Sequence, residues 1–187
     1  MKGIESTKDV VMSIDQSLSC SGIHIWEGGE HKDLYVIKTP PKGEVILRIR
    51  EIVAQLRVLI SKRSVTTVVI ESLPYGLNSS SVRPLAALYY MINNMCIDLG
   101  VLFRESNVTA VKKFATMSGK ANKKDMIQAL LIKAPDVYAE ASTRGYKQTT
   151  GLADIADGYF IGLLYIHKVN EEAKITSRNK EVNEDIR

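Results

Sequence analysis

Four carboxylates occur in a chain order that could hold metal ions. Asp15 and Glu71 each end a short apolar run, and Asp154 and Asp157 stand three residues apart at the head of an apolar helical stretch. An acid at the end of a buried strand costs free energy unless a cation or hydrogen bonds compensate it. The four acids therefore indicate a site for hard divalent metal ions, although acids at strand ends and helix starts also occur as ordinary capping residues.

The elements that carry these acids would bring them together. If the strands that end at Asp15 and Glu71 are parallel neighbours, their carboxyl ends lie roughly 5 Å apart. Asp154 and Asp157 share one face of a helix, in the first turns, where the helix dipole favours anions. Converging carboxylates repel each other unless cations neutralise them. We expect Mg²⁺, with Mn²⁺ as a substitute, and two ions about 4 Å apart that act on a phosphodiester.

The bulk composition is that of an ordinary globular protein. The chain has 187 residues, 45% hydrophobic and 25% charged, which fits one domain with a sizeable core. No apolar run reaches the ~20 residues of a membrane span, and the N-terminus has no signal-peptide pattern, so we expect no membrane partner and a cytoplasmic location. Two distant cysteines and three scattered histidines disfavour disulfides and zinc hydrolase chemistry.

Positive charge is concentrated in one segment. The net charge is +4 and the pI is near 9.0. Segment 101–150 alone holds nine Lys or Arg against four Asp or Glu. A basic segment between the acids indicates a polyanionic substrate, and a merely solvated surface is the alternative.

The spacing of apolar residues predicts an α/β fold. The predicted elements are strands 9–15, 21–26 and 33–38, helix 44–63, strand 65–71, helix 82–99, strand 101–104, and helices 107–114, 122–133 and 151–169. Residues 134–150 are predicted to be irregular, and the charged tail 170–187 to be flexible. An antiparallel three-stranded meander followed by alternating helices and parallel strands predicts a mixed five-stranded sheet with helices on both faces.

Four segments, in order, resemble motifs of the RuvC-type Holliday junction resolvases, within the ribonuclease H-like superfamily. They are SIDQSLSCSG at 13–22, VVIE at 68–71, VK at 111–112 with GKANK at 119–123, and ADIADG at 153–158. The resemblance runs from about residue 10 to residue 168. It implies a ribonuclease H-like fold and a single nuclease domain at 1–169.

The resemblance also implies the roles of individual residues. The metal ligands would be Asp15, Glu71, Asp154 and Asp157. Lys112 and Lys123 match basic positions near the scissile phosphate, where a lysine stabilises developing negative charge. The implied activity is that of a crossover junction endodeoxyribonuclease. As a homodimer, it would cut four-way junctions and other branched DNA by paired symmetrical nicks, leaving 5′-phosphate and 3′-hydroxyl ends.

Further DNA contacts are expected around this site. Lys113, Lys120 and Lys124 would make general electrostatic contacts. Where the family often has an aromatic residue, three positions after its second acid, this chain has a proline followed by Tyr75, which could replace it at the junction centre. Arg144 and Lys147, together with Tyr146, could touch DNA from segment 134–150.

Two expectations concern assembly and origin. An apolar stripe on helix 82–99 is a plausible dimer surface, with ordinary core packing as the alternative; its members are Leu85, Leu88, Tyr89, Ile92 and Met95. The divergence of the sequence from the family pattern favours a phage-type or other virus-type member, which would act in the host cytoplasm.

Three other functions remain open from the sequence. One is a ribonuclease H-like nuclease that acts on RNA–DNA hybrids or flaps. Another is a junction-binding protein that does not cut, which the complete set of acids disfavours. The third is half of a sugar-kinase or actin-like ATPase, but that fold needs two such domains and this chain is too short.

Overall fold

A computed structural model describes residues 9–73 and 82–184 of the chain. The described residues form five strands and six helices. In chain order these are β1 (Val10–Asp15), β2 (Cys20–Glu27), β3 (Glu30–Lys38), α1 (Val45–Arg63), β4 (Thr67–Glu71), α2 (Val82–Asp98), β5 (Leu102–Ser106), α3 (Val108–Thr116), α4 (Lys123–Lys133), α5 (Pro135–Thr143) and α6 (Leu152–Glu184).

The five strands make one mixed sheet, as predicted. Their order is β3-β2-β1-β4-β5. The first three strands pair antiparallel, whereas β4 runs parallel to both β1 and β5. In the parallel pair Ile14 lies opposite Ile70, so Asp15 and Glu71 follow side by side at the carboxyl ends of β1 and β4. The strands that end in Asp15 and Glu71 are therefore parallel neighbours.

Alternation along β1 divides its side chains between two apolar layers. Met12 and Ile14 are fully buried in the layer that contains the apolar faces of α1 and α2. Val11 belongs to the other layer, built with α3, α4, α5 and α6. Because successive side chains of a strand point to opposite faces, Ser13 and Asp15 lie on the α6 side. The sheet thus presents its acids to the helix that carries the other two.

The apolar stripe on α2 packs into the core of the same chain. Leu88, Tyr89, Ile92 and Met95 are at most 5% exposed and contact the layer under α1. Leu85 is only partly buried. These four side chains cannot form a dimer surface, so core packing, the alternative interpretation of this stripe, is confirmed for them.

Segment 134–150 is not irregular throughout, so that prediction is wrong. It contains helix α5, in which Pro135 occupies the first turn and Val137 and Ala141 are buried. A proline in the first turn of a helix removes no intrahelical hydrogen bond, so it starts this helix instead of breaking one.

The prediction that the final helix ends near Val169 is also wrong. α6 continues to Glu184, well beyond the apolar stripe that packs on the sheet. An ion pair between Lys174 and Glu171, 3.0 Å long, and hydroxyl bonds from Thr176 and Ser177 to carbonyls one turn earlier accompany the extension. Side-chain pairs at this spacing stabilise a helix that does not pack against the hydrophobic core.

Other boundaries agree closely with the predicted ones. The largest shift is in β3, which begins at Glu30 because Gly28 and Gly29, with φ of 59° and 86°, close a tight hairpin with β2. None of the helices in the described part of the chain has the length and apolarity needed to cross a lipid bilayer.

Candidate active site

Asp15 and Glu71 contact each other at the carboxyl ends of β1 and β4. Asp15 is only 8% exposed. Burial raises its pKa well above the usual value of 3.8, and the charges of Asp157, Glu71 and Asp154 raise it further. A hydrogen bond between the two carboxyls raises the pKa of Asp15 and opposes the rise in that of Glu71. Asp15 is therefore the protonated donor and Glu71 the acceptor when no cation neutralises the pair.

The other two acids lie in the first turns of α6 and face the strand-borne pair. Burial raises the pKa of Asp157 to about 7, with a further contribution from the charge of Glu71. Burial also raises the pKa of Glu71, although the Lys112 ammonium acts in the opposite direction. Raised pKa values in several clustered carboxyls show that their negative charges are incompletely compensated by the protein.

Two glycines let α6 approach the sheet closely enough to bring the acids together. A Cβ on Gly22 of β2 would lie 2.1 Å from the main-chain oxygen of Asp154. A Cβ on Gly158 would lie 2.8 Å from the main-chain oxygen of Gly22. Gly22 pairs with Asp15 across β1 and β2. The place where α6 crosses β2 is therefore also the place where the acids of α6 approach Asp15. Residues larger than glycine would separate them.

Buried polar side chains fix the position of α6 on the sheet. Ser13 donates its hydroxyl to the Gly158 carbonyl over 2.8 Å and accepts from the Trp26 indole N–H over 3.0 Å. His24 Nε2 lies 2.8 Å from the Ile155 carbonyl oxygen, and its Nδ1 lies 2.9 Å from His31 Nε2. Burial lowers the pKa of His24 to about 3, so the ring is neutral and Nε2 donates to the carbonyl.

Two lysines approach the acids from α3 and α4. Lys112 lines a cleft of about 100 Å³ together with Glu71 and Asp157. The Nζ of Lys123 lies 3.8 Å from Oδ1 of Asp154, and its side chain is still 69% exposed. Both ammonium groups favour the ionised form of Asp157 and so lower its pKa against the effect of burial. A phosphate in this cleft would meet the Lys112 ammonium and the carboxylates of Glu71 and Asp157.

The donor set suits a hard cation with retained water ligands. Among the described residues, no three His, Cys, Asp or Glu side chains converge into a ready-made metal cage. Mg²⁺ does not need one, because it is usually held by one or two carboxylates, waters and substrate phosphate. A neutral oxygen is also present: Gln16 donates from Nε2 to the Glu71 carbonyl over 3.5 Å, while its Oε1 is buried without a partner in the described structure. These residues fit the implied metal in chemical type.

The sequence patterns did not indicate several residues that shape the site. Gln16 and Cys20 flank the acids, and burial raises the pKa of the Cys20 thiol to about 12, so it stays protonated and hydrogen-bonds Asp154. Ser13 and His24 are fully buried polar residues in otherwise apolar strands. Such interruptions, together with Gly22 inside a strand, were the available signals.

The expected DNA contacts fall into two groups. Lys113, Lys120 and Lys124 are exposed on α3, the following turn and α4, on the Lys112 side of the site. Arg144 contacts β3 directly, whereas Lys147 is linked to it through Thr150, whose carbonyl accepts from Lys38 of β3. The Arg144 guanidinium donates to the Leu34 carbonyl over 2.6 Å and also pairs with Asp33 and Glu140, so its charge is engaged within the protein. Tyr75 lies outside the described residues.

Comparison with solved structures identifies the fold. RuvC of Thermus thermophilus matches with a TM-score of 0.59 and 18% identity, covering 87% of this chain and 95% of that one. The same protein in complex with Holliday junction substrate gives 0.61 and 16%, with coverages of 88% and 95%. The yeast mitochondrial Holliday junction resolvase Ydc2 gives 0.67 and 11%, with coverages of 95% and 86%. No family model and no curated protein matches the sequence itself.

The chain therefore has a ribonuclease H-like α/β fold. Within that class it has the fold of the RuvC-type Holliday junction resolvases, as the sequence motifs predicted. The expected viral origin has no support in these neighbours, which are bacterial and mitochondrial proteins.

Proposed function

We propose that this protein is a metal-dependent, structure-selective endonuclease that resolves four-way junctions and other branched DNA. One observation carries the proposal: in a RuvC-type resolvase fold, four interacting carboxylates from β1, β4 and α6 meet two lysines from α3 and α4. The fold supports this class of protein without fixing its function, so the proposed activity depends on the site, which supplies the groups that phosphodiester hydrolysis requires.

In this proposal the acids hold two Mg²⁺ ions, or Mn²⁺ in their place. Asp15 and Glu71 supply oxygen ligands from the strands, and Asp154 and Asp157 supply them from the helix. When bound, the ions provide an activated water and stabilise the leaving oxygen. The protein's own contribution is to hold the carboxylates at the crossing of α6 and the sheet, where Gly22 and Gly158 permit close contact.

The basic residues bind and orient the DNA. Lys112 and Lys123 stabilise charge on the scissile phosphate, because Lys112 lines the cleft with Glu71 and Asp157, and the ammonium group of Lys123 lies 3.8 Å from Asp154. Lys113, Lys120 and Lys124 neutralise flanking phosphates. Arg144 and Lys147 remain proposed contacts, and Tyr75 a proposed contact at the junction centre.

Paired symmetrical nicks require two active sites, so we propose that the working form is a homodimer. A cytoplasmic location, and a role in DNA recombination or repair, belong to the same proposal. Sedimentation of the protein with and without a junction tests the dimer, and a monomer that makes paired nicks would contradict it.

A panel of synthetic substrates tests the function. Purified protein is incubated with a four-way junction, a linear duplex of the same arms, and an RNA–DNA hybrid, in Mg²⁺ and separately in Ca²⁺. We expect symmetrical nicks in the junction with Mg²⁺ only, leaving 5′-phosphate ends. Equal cutting of the linear duplex would contradict structure selectivity. Preference for the hybrid would favour a ribonuclease H-like function, and junction binding without cutting in Mg²⁺ or Mn²⁺ would favour a binding protein.

Replacing Lys112 or Lys123 with Ala is expected to lower turnover of a saturated junction by about 100-fold, because a cation that stabilises charge in the transition state is lost. Junction affinity in Ca²⁺ should change far less. Single-turnover cutting and binding titrations of each variant separate the two effects. Lys62→Ala, an exposed lysine at the end of α1, serves as the matched control. A loss of affinity equal to the loss of rate would show that these lysines only contact the DNA backbone.

A further inference from the structure

Met117 has a backbone conformation that is costly for its residue type. It follows the last turn of α3 with φ of 66°, in the left-handed region. Helices that end this way usually place Gly or Asn there, because a Cβ is disfavoured. Ser64 is the other residue besides glycine with positive φ in the described chain.

The side chain gains no packing that would offset this cost. Met117 is 83% exposed, the most exposed large apolar residue in the described structure. It stands at the rim of a groove of about 410 Å³ between α3 and α4, whose lining includes Ala115, Ala129 and Ile132. A strained residue with an exposed apolar side chain is better explained by what the side chain touches in a complex than by folding.

The turn that carries Met117 is held firmly. The Met117 N–H donates to the Lys113 carbonyl over 2.8 Å, and the Thr116 hydroxyl bonds the Lys112 carbonyl over 2.8 Å. At Gly119 a Cβ would lie 2.6 Å from Cγ2 of Thr109, so the chain after Met117 folds tightly back on α3. The methionine is therefore presented from a rigid support.

The charge around Met117 selects the kind of partner. Residues 111–125 contain five lysines and one acid, Asp125, which lines the same groove as Met117 and accepts from the Asn122 N–H. Of the five lysines, Lys113, Lys120 and Lys124 are exposed and have no ion pair within the described residues. An apolar tip inside a cationic surface suits nucleic acid, in which phosphates flank apolar base faces. A second copy of this net-positive segment would be repelled.

The position of Met117 connects it with the cleft. Lys112 lines the cleft and Met117 lies five residues further along, about 7.5 Å by helical rise. Lys123, beside Asp154, begins the next helix. A phosphate at the acids would thus place neighbouring nucleotides within reach of the methionine.

We propose that Met117 is an apolar base contact that packs against an unstacked nucleobase at the branch point of the DNA, while the surrounding lysines hold the phosphates. The inference rests on the proposed function and adds a residue that distinguishes branched from continuous duplex DNA. Bases in a continuous duplex are stacked on both faces, so they offer this side chain no open face.

The test replaces Met117 with Asn, which tolerates positive φ and removes the apolar side chain. Met117→Leu restores an apolar side chain, and Val58→Gln, at an apolar position on α1 that is 64% exposed, is the control. Binding is measured in Ca²⁺ with junctions that carry the fluorescent base 2-aminopurine next to the branch point, and with linear duplex.

We expect Met117→Asn to weaken junction binding by about tenfold and to abolish the change in 2-aminopurine fluorescence, because burial of an apolar side chain against a base has that energetic scale. Duplex binding should change less than twofold. Met117→Leu and Val58→Gln should behave like the unaltered protein.

Several results would overturn the inference. If the unaltered protein cuts junctions in Mg²⁺ but Met117→Asn binds them equally well, the base contact is wrong and the proposed function stands. Equal weakening for junction and duplex would also exclude a base contact. If the unaltered protein neither prefers nor cuts junctions, the proposed function fails and this inference fails with it.

Discussion

Replacing Asp15 with Asn is expected to lower junction cutting by at least about 1,000-fold while leaving junction binding nearly unchanged. A metal ligand at the centre of the acids supplies several kcal/mol of transition-state stabilisation, and each ~1.4 kcal/mol corresponds to a tenfold change in rate. In the proposed function, binding depends instead on lysines of α3 and α4, which the substitution does not change.

The same substitution should stabilise the protein when no metal is bound. Burial and three neighbouring acids raise the pKa of Asp15, so its ionised form opposes folding at neutral pH. An Asn amide keeps a donor toward Glu71 and carries no charge. We expect the melting temperature in EDTA to rise by roughly 5 °C, a shift that suits ~2 kcal/mol in a domain of this size.

The pH dependence has a defined direction. Groups with a raised folded-state pKa stabilise the fold at low pH, where they are protonated, and lose that contribution as the pH rises through the folded pKa. For Asp157 this window runs from its ordinary value of 3.8 to about 7. The metal-free protein should therefore lose stability across this range, less steeply after Asp15→Asn, and Mg²⁺ should restore stability only to the unaltered protein.

Cutting assays, binding in Ca²⁺ and thermal melts with and without Mg²⁺ check these expectations together. Asp136→Asn is the control, because Asp136 is an exposed acid on α5. Near-normal cutting by Asp15→Asn would remove Asp15 from the metal site. A lower melting temperature of Asp15→Asn in EDTA would show that the folded protein already compensates the charge of Asp15.

Replacing Gly22 with Ala is expected to give the largest loss of stability among these substitutions. The new Cβ would lie 2.1 Å from the Asp154 oxygen and 2.5 Å from its carbonyl carbon, which are backbone atoms and cannot rotate away. Overpacking usually costs about 1–3 kcal/mol, and we expect at least ~3 kcal/mol here, or a melting temperature roughly 6–12 °C lower. This steric clash can be relieved only if α6 moves away from β2.

The movement of α6 gives Gly22→Ala a signature beyond stability. Asp154 and Asp157 would move away from Asp15, so stabilisation by Mg²⁺ and cutting per folded molecule should both fall. Gly100→Ala is the matched control, since φ of 66° makes an alanine costly there but no atom lies within 4 Å of its Cβ. If both variants lost stability but kept normal metal response and cutting, close docking of α6 would not be what assembles the site.

The amino-acid sequence by itself determined most of the framework. Alternating apolar residues ending in an acid identified β1 and β4, and the pair at 154 and 157 marked the start of a helix, because these signals lie within a few residues of one another. Predictions from neighbouring residues were wrong where the same local sequence is compatible with two structures. A proline can interrupt a helix or begin one, and Pro135 begins α5. A helix can also continue beyond its apolar stripe, as α6 does after Val169.

The tertiary structure alone decided how the parts meet. An apolar stripe reports that a helix buries one face, but whether against its own sheet or another chain depends on distant residues, and α2 buries its stripe internally. The role of Gly22 was likewise not visible, because the atoms that exclude a Cβ belong to Asp154, more than a hundred residues later. The spacing of residues along the chain indicates which carboxylates could act in chemistry. Packing between distant segments sets the distances between those carboxylates and thereby their pKa values.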